Sequence, residues 1–253
     1  MKNIIYGLWL IAYIVLSYFF FVERDFATAF YSWLGLVIAV GFVKSQREQL
    51  KLLILIGACF TVLRILVYSS PFLEWPVDFY LVALFGYFLL RFGFRQKPEK
   101  LKWSLKFSKR EWASIFIINI PAVGILLWYF KLHPQVAEMF PELNVPLWGL
   151  PLVVLLLAAV NGLREEIFYR GLIQPASSVS SPAWFVVGLQ AVLFGFMHYA
   201  NSFPEGWLGV VMTAAWGAAI AIQYRMFKSI SLAWLTHTIA DAVMFGIILF
   251  VRS

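Results

Sequence analysis

Residues 148–173 read WGLPLVVLLLAAVNGLREEIFYRGLI. The run is almost wholly apolar as far as Val160, and a compact charged group, Arg164, Glu165, Glu166 and Arg170, then follows. The whole stretch 148–173 is long enough to span a bilayer as a helix, for which ~20 mainly apolar residues suffice. Ionisable groups at membrane depth are energetically costly, so they mark candidate functional sites. The stretch therefore predicts a transmembrane helix with a chemically active polar group near one end.

The rest of the chain has the same apolar character. Hydrophobic residues make up 62% of the sequence and charged residues only 13%. Similar runs predict about eight or nine spans in all: 4–22, 26–43, 51–68, 75–91, 112–131, 148–173, 183–200, 207–225 and 230–251. The runs do not alternate apolar and polar residues as β-barrel strands do. The predicted fold class is all-α, a polytopic transmembrane helical bundle.

The distribution of Lys and Arg predicts the orientation in the membrane. Basic residues concentrate around 44–51 and in 91–110, whereas 69–74 has none. By the positive-inside rule, the N-terminus and the 91–110 segment are cytoplasmic. The net charge of +7 then reflects loops that face anionic lipid, and no nucleic-acid partner is expected. Residues 4–22 are expected to be a retained span, because charged residues follow them in place of a cleavage site.

The basic segment also predicts a division of the chain. We expect an N-terminal four-span unit of unknown role in 1–94, a basic cytoplasmic or interfacial loop in 95–111 and a catalytic helical core in 112–253. Apolar and polar residues alternate within the loop, as in 101–108. This alternation favours a segment anchored at the lipid interface. The alternative is a docking strand for an extended peptide.

The two adjacent glutamates are expected to differ in their partners. On a helix Glu166 and Arg170 are four residues apart and can pair. Glu165 lies about 100° around the helix from Glu166, on the face of Tyr169. Glu165 is then the carboxylate available to accept a proton near neutral pH.

Two further polar pairs lie on predicted spans, each with i,i+4 spacing. Phe194 and His198 share one helix, and His237 and Asp241 share another. Taken alone, each pair suits a structural, hydrogen-bonded role. Their convergence with Glu165 in one membrane protein favours a hydrolytic site.

Two mechanisms fit these side chains. In the first, Glu165 deprotonates a water that attacks an amide carbonyl, and a histidine with a neighbouring side chain stabilises the oxyanion. In the second, His198, His237 and Asp241 bind a divalent metal such as zinc, which activates the water. An ionised Asp241 cannot donate to an oxyanion, so an aspartate there favours a metal-binding or histidine-orienting role.

The three motifs together resemble the CAAX protease and bacteriocin-processing family, also called the Abi family. Its pattern is Glu-Glu-x-x-x-Arg, then Phe-x-x-x-His, then His-x-x-x-Asn or Asp. Here the motifs are Glu165-Glu166-Ile-Phe-Tyr-Arg170, Phe194-Gly-Phe-Met-His198 and His237-Thr-Ile-Ala-Asp241. Order and spacing agree, and the resemblance covers roughly residues 112–251.

The resemblance implies an intramembrane glutamic endopeptidase, similar to the type II CAAX prenyl endopeptidases. It assigns water activation to Glu165 and His198, oxyanion stabilisation to His237 and Asp241, and supporting roles to Glu166, Arg170 and Phe194. Asp241 stands where the prenyl-processing members have Asn. No cofactor is required in this mechanism. The expected partners are the bilayer and a membrane-associated or lipidated peptide, and the expected location is the plasma (inner) membrane of a prokaryote.

Two other functions fit the same composition. A non-catalytic scaffold, chaperone or immunity-type protein of this fold would use the polar residues as a structural network. A transporter would use the buried carboxylates for proton coupling, and inverted repeats would be expected, but no repeat is evident in the sequence.

Overall fold

The computed structural model describes residues 2–69, 77–96, 100–135, 145–199 and 203–251, and the regular structure in these ranges is helical. Within them, six helices are long and apolar enough to cross a membrane: Lys2–Val22, Lys44–Leu66, Lys109–Leu132, Leu147–Ser178, Gly206–Phe227 and Ile230–Phe250. Phe26–Gly41 and Ala183–Met197 are shorter apolar helices. The predicted all-α membrane bundle is confirmed, and the protein is an integral membrane protein.

The helices follow the predicted spans closely. In chain order they are α1 (Lys2–Ser17), α2 (Phe26–Gly41), α3 (Arg47–Ser69), α4 (Val77–Phe88), α5 (Lys109–Leu132), α6 (Leu150–Glu166), α7 (Gln174–Ser178), α8 (Ala183–Met197), α9 (Gly206–Phe227) and α10 (Ile230–Val251). Three π-helical stretches extend α1, α4 and α6: Tyr18–Val22, Leu89–Gly93 and Ile167–Ile173. The first residues of the predicted span 75–91 and the last of 183–200 lie outside the described residues.

Local sequence fixes where several helices begin. Ser108 and Glu111 form a capping box at the start of α5, each side chain bonding the other's backbone N–H. Asp25 caps α2 by accepting hydrogen bonds from the backbone and hydroxyl of Thr28. The Thr28 hydrogen bonds hold the pKa of the Asp25 carboxyl below its usual value. Both caps supply acceptors for backbone N–H groups in the first turn of the helix, which would otherwise lack partners.

The chain forms two compact units, each built from separated segments. One comprises Met1–Lys100 and Phe168–Ile222, and the other comprises Leu101–Ile167 and Gln223–Ser253. In the first unit, α1 packs on α8 while α2 and α4 pack on α3. Aromatic contacts line the α1–α8 interface, where the ring of Tyr6 lies 5.2 Å from that of Phe185. The predicted division around 95–111 stays a prediction.

The second unit is organised around α10, which packs against α6 and α5. The indole N–H of Trp234 donates to the carbonyl of Ala159 at 2.8 Å. Gln223, in the last turns of α9, donates to the hydroxyls of Ser114 on α5 and Thr236 on α10, each at 2.9 Å. Polar contacts thus join the packed helices in a setting where apolar contact alone gives little driving force.

The alternating segment 101–107 lies against the start of α10. The backbone N–H of Ser104 donates to the Ser231 hydroxyl at 3.0 Å, and that hydroxyl donates back to the Ser104 carbonyl at 2.6 Å. The Trp103 and Trp234 rings lie 5.2 Å apart. The fold itself uses these Ser104 backbone groups, and both the lipid-anchored segment and the docking strand stay predictions.

Candidate active site

The imidazole of His237 lies among three carboxylates in the second unit. Its Nδ1 atom is 2.8 Å from Oε1 of Glu166. Its Nε2 atom is 3.6 Å from Oδ1 of Asp241 and 3.8 Å from Oε2 of Glu165. All four residues are buried. Helices α6 and α10 therefore bring together three of the predicted catalytic residues, Glu165, His237 and Asp241.

The two ring nitrogens of His237 have different environments. The Nδ1 contact has hydrogen-bond length, and the carboxylate can only accept, so Nδ1–H donates to Glu166. The distances from Nε2 to Glu165 and Asp241 exceed those of a direct hydrogen bond. Glu166 thus orients the ring, and Nε2 faces the carboxylates of Glu165 and Asp241.

Asn161 and Arg164 complete this arrangement, and sequence reasoning did not assign either of them to the site. Arg164 Nε donates to Oδ1 of Asn161 at 3.0 Å, and Asn161 Nδ2 donates to Oδ2 of Asp241 at 2.9 Å. Arg164 Nη2 lies 3.4 Å from Oε1 of Glu165. Together with the longer distances from His237 to Glu165 and Asp241, these contacts connect five neighbouring side chains in a ring: Glu165, Arg164, Asn161, Asp241 and His237. The i,i+3 and i,i+4 spacing of Asn161, Arg164 and Glu165 on one apolar helix was the available signal.

The predicted partners of the two glutamates need one correction. Glu165 was expected to lack a cation, but the guanidinium of the preceding residue, Arg164, folds back along the helix to reach it. This contact with Arg164 involves Oε1 of Glu165. Its Oε2 atom is buried and has no hydrogen-bond partner among the described residues. Glu165 therefore combines an anchored oxygen with a second oxygen directed towards His237.

The backbone changes form directly after the two glutamates. Helix α6 ends at Glu166, and Ile167–Ile173 is π-helical. Such π segments occur often at functional sites, and they change which residues share a helical face. Glu166 and Arg170 are thus separated by π-helical residues in place of a regular α-helical turn. Arg170 belongs to the other unit, so its predicted pairing with Glu166 stays a prediction.

Arg170 is fully buried within the first unit. Its Nη2 donates to the carbonyl of Gly217 at 3.0 Å, and its Cζ lies 5.4 Å from the centroid of the Phe194 ring. A Cβ on Gly217 would lie 2.9 Å from Cβ of Phe194, so glycine permits this close packing of α8 and α9. The supporting roles predicted for Arg170 and Phe194 stay predictions.

His198, the fourth predicted catalytic residue, ends α8 in the first unit. Its Nδ1 atom lies 2.8 Å from the carbonyl oxygen of Phe194, and the two rings are 4.8 Å apart. A carbonyl only accepts, so Nδ1–H donates to it. When the ring is neutral, Nε2 is then the nitrogen that can accept a proton. This tautomer suits a base. The participation of His198 in the same reaction stays a prediction from the order of the motifs.

The metal-dependent mechanism receives no geometric support from the residues that the structure describes. Among them, no group of three or more His, Cys, Asp or Glu side chains is arranged to hold a metal ion. His198 belongs to the first unit and His237 and Asp241 to the second, so a metal site formed by these three residues stays a prediction.

Comparison with known proteins gives one match. The family model described as Type II CAAX prenyl endopeptidase Rce1-like matches residues 147–243. No curated protein and no solved structure matches the chain. The matched segment contains all three motifs, so the resemblance to the CAAX protease family is confirmed over a narrower range than 112–251. It supports a membrane-embedded CAAX-protease-type function in general terms.

Proposed function

With residues 147–243 matching the Rce1-like family model, we propose that the protein is an intramembrane endopeptidase that uses a glutamate-activated water. One observation carries the proposal above the others. The Oε2 atom of Glu165 is buried and lies 3.8 Å from Nε2 of His237, with Arg164 anchoring the other oxygen of the carboxylate. A base must present an oxygen to the water, and this arrangement does so.

The reaction follows from these positions. Glu165 takes a proton from water, and the water oxygen bonds to the carbonyl carbon of the scissile amide. The resulting oxyanion accepts a hydrogen bond from Nε2–H of protonated His237, whose ring Glu166 orients. The proton held by Glu165 passes to the departing amide nitrogen as the C–N bond breaks, which leaves a carboxylic acid and an amine. The acid then gives its remaining proton to the amine, so the products are a carboxylate and an ammonium group.

Asp241 and His198 have distinct proposed roles. Asp241 lies 3.6 Å from Nε2 of His237 and accepts from Asn161, so it acts on the orientation and charge of the imidazole. This replaces the direct oxyanion contact that an Asn would make. The motif pattern supports His198 as the second water-activating group.

The proposed substrate is a peptide or lipidated protein within the bilayer. The candidate residues are buried in a protein whose helices expose large apolar side chains; Ile117 is 72% exposed and Ile120 is 69% exposed. A substrate that partitions into lipid reaches such a surface directly. From the Lys and Arg distribution we propose a cytoplasmic N-terminus, and from the family resemblance we propose the inner membrane of a prokaryote.

A non-catalytic scaffold, chaperone or immunity-type function is the second candidate. The chain of hydrogen bonds from Arg164 through Asn161 to Asp241 favours this function. Linked buried hydrogen bonds also occur where polar groups serve only to specify packing. In that case Glu165→Gln would leave function unchanged.

Peptide cleavage by the purified protein in liposomes separates the two candidates. The probes are a farnesylated peptide with a CAAX C-terminus and a non-lipidated transmembrane leader peptide, with products identified by mass spectrometry. Glu165→Gln and His198→Ala should abolish cleavage while thermal unfolding stays cooperative. The exposed Glu205→Gln is the matched control and should cleave normally.

A further inference from the structure

The first unit contains an elongated cavity of about 350 Å³ between α1, α2 and α3. This volume falls within the ~300–1,000 Å³ of small-molecule sites. Its lining positions on α3 recur on one helical face from Leu53 to Ile65. At ~1.5 Å per residue, this face extends for about 18 Å along the helix. All but one of its lining residues precede the segment 147–243, and none of them is a candidate catalytic residue.

The wall of the cavity is suited to a hydrocarbon chain. It includes Leu16, Phe20, Phe30, Leu53, Ile56 and Phe60. The indole N–H of Trp33 donates to the carbonyl of Leu53, and the Thr61 hydroxyl donates to the carbonyl of Gly57. These two wall donors are used within the protein, whereas the buried hydroxyl of Tyr13, which also lines the cavity, has no hydrogen-bond partner among the described residues. An extended peptide would need partners for its own backbone groups, whereas an acyl chain needs none.

One end of the cavity carries positive charge. Arg64 lines this end near the start of α2, and its Cζ lies 3.5 Å from the centroid of the Phe26 ring. The guanidinium of Arg64 is complementary to a phosphate, which it can bind through planar N–H donors. Basic sites between transmembrane helices bind anionic headgroups in this way.

We propose that this cavity binds an anionic phospholipid, with an acyl chain between α1, α2 and α3 and the phosphate at Arg64. The inference gives the N-terminal helices a role that the matched family segment does not supply. It does not depend on peptidase activity.

Photolabelling in nanodiscs tests the proposal. The protein is placed in phosphatidylcholine nanodiscs with trace phosphatidylglycerol that carries a diazirine in its acyl chain, and adducts are located by peptide mass spectrometry. Adducts are expected on cavity residues of α1, α2 and α3, at least several-fold more than with diazirine-labelled phosphatidylcholine. Equal labelling by the two lipids would overturn the proposed headgroup recognition.

Paired variants separate binding from general damage. Arg64→Gln should reduce phosphatidylglycerol labelling several-fold, whereas Arg91→Gln, which removes another arginine near an aromatic ring, should not. Ala27→Phe places a ring in the cavity, and Ala39→Phe adds the same ring to an exposed position on α2 outside its lining. Equal loss in both members of either pair would contradict the proposal. Displacement of the label by a farnesylated peptide but not by excess phosphatidylglycerol would instead identify a substrate site and overturn it.

Discussion

The Nδ1 atom of His237 lies 2.8 Å from Oε1 of Glu166, and this contact joins α10 to α6. The second glutamate of the pair therefore orients the histidine, and the first, Glu165, lies opposite the other ring nitrogen. The two neighbouring carboxylates have separate positions with respect to one imidazole. This division of roles leads to predictions for each member of the cluster.

Arg164 should be a stability residue as well as a positioning residue. It is buried and contacts both Glu165 and Asn161. Arg164→Gln leaves the carboxylate of Glu165 buried without this cation, and breaking a buried pair in this way costs about 3–5 kcal/mol. The midpoint of thermal unfolding in detergent should fall by several degrees. Arg110→Gln, at an exposed position on α5, should change it little, and an unchanged midpoint for Arg164→Gln would contradict this role.

Asp241→Asn should retain most of the activity. An asparagine oxygen can still accept the hydrogen bond from Asn161, and its amide can donate to an oxyanion. Asp241→Ala removes both functions and leaves Asn161 without that acceptor. We expect kcat for peptide cleavage to fall less than about tenfold in the first variant and at least 100-fold in the second, with each ~1.4 kcal/mol of lost stabilisation giving one factor of ten. Equal losses would point to a requirement for a carboxylate, as in metal binding.

Chelation provides an independent test of that alternative. If Glu165 activates the water directly, dialysis against 1,10-phenanthroline should leave the rate of peptide cleavage unchanged. Loss of activity that added zinc restores would contradict the glutamate mechanism. A zinc peptidase assayed in the same liposomes serves as the positive control.

Gly162 should be sensitive to enlargement, because it lies where α6 meets α10. A Cβ at this position would be 3.3 Å from the Thr238 hydroxyl oxygen and 3.4 Å from Cβ of His237. Gly162→Leu should therefore separate the helices and displace His237, at a cost of about 1–3 kcal/mol for overpacking. Gly124 on α5 has open space around it, so Gly124→Leu is the matched control. Equal thermal stability of the two variants would contradict the packing account.

The helices were predictable because the apolar runs approach the thickness of a bilayer. The capping box of Ser108 and Glu111 is also recognisable from the sequence, because the two residues are three positions apart. The contact of His237 with Glu166 joins residues 71 positions apart, and periodicity within single helices cannot reveal it. The candidate residues therefore follow from short motifs within single helices, whereas their partners depend on contacts between helices that are distant in sequence.

Two further features escaped prediction for physical reasons. The contact of Arg164 with Asn161 is one of them. The sequence places Arg164 in the charged end of a span, and its i,i+3 spacing from Asn161 puts both residues on one face of α6. The π-helical stretch Ile167–Ile173 changes the helical register without a distinctive composition. Face assignments that assume 3.6 residues per turn beyond Glu166 therefore stay predictions.

The cleavage rate of Glu165→Gln tests the central claim most directly. Glutamine retains the size of the side chain and an oxygen for Arg164, but it cannot accept the proton from water. Under the proposed mechanism, this variant folds, binds the peptide and cleaves it at least about 1,000-fold more slowly, the upper range of a general-base contribution being about 10⁴-fold. Cleavage at the rate of the unmodified protein and of Glu205→Gln would show that Glu165 is not the base.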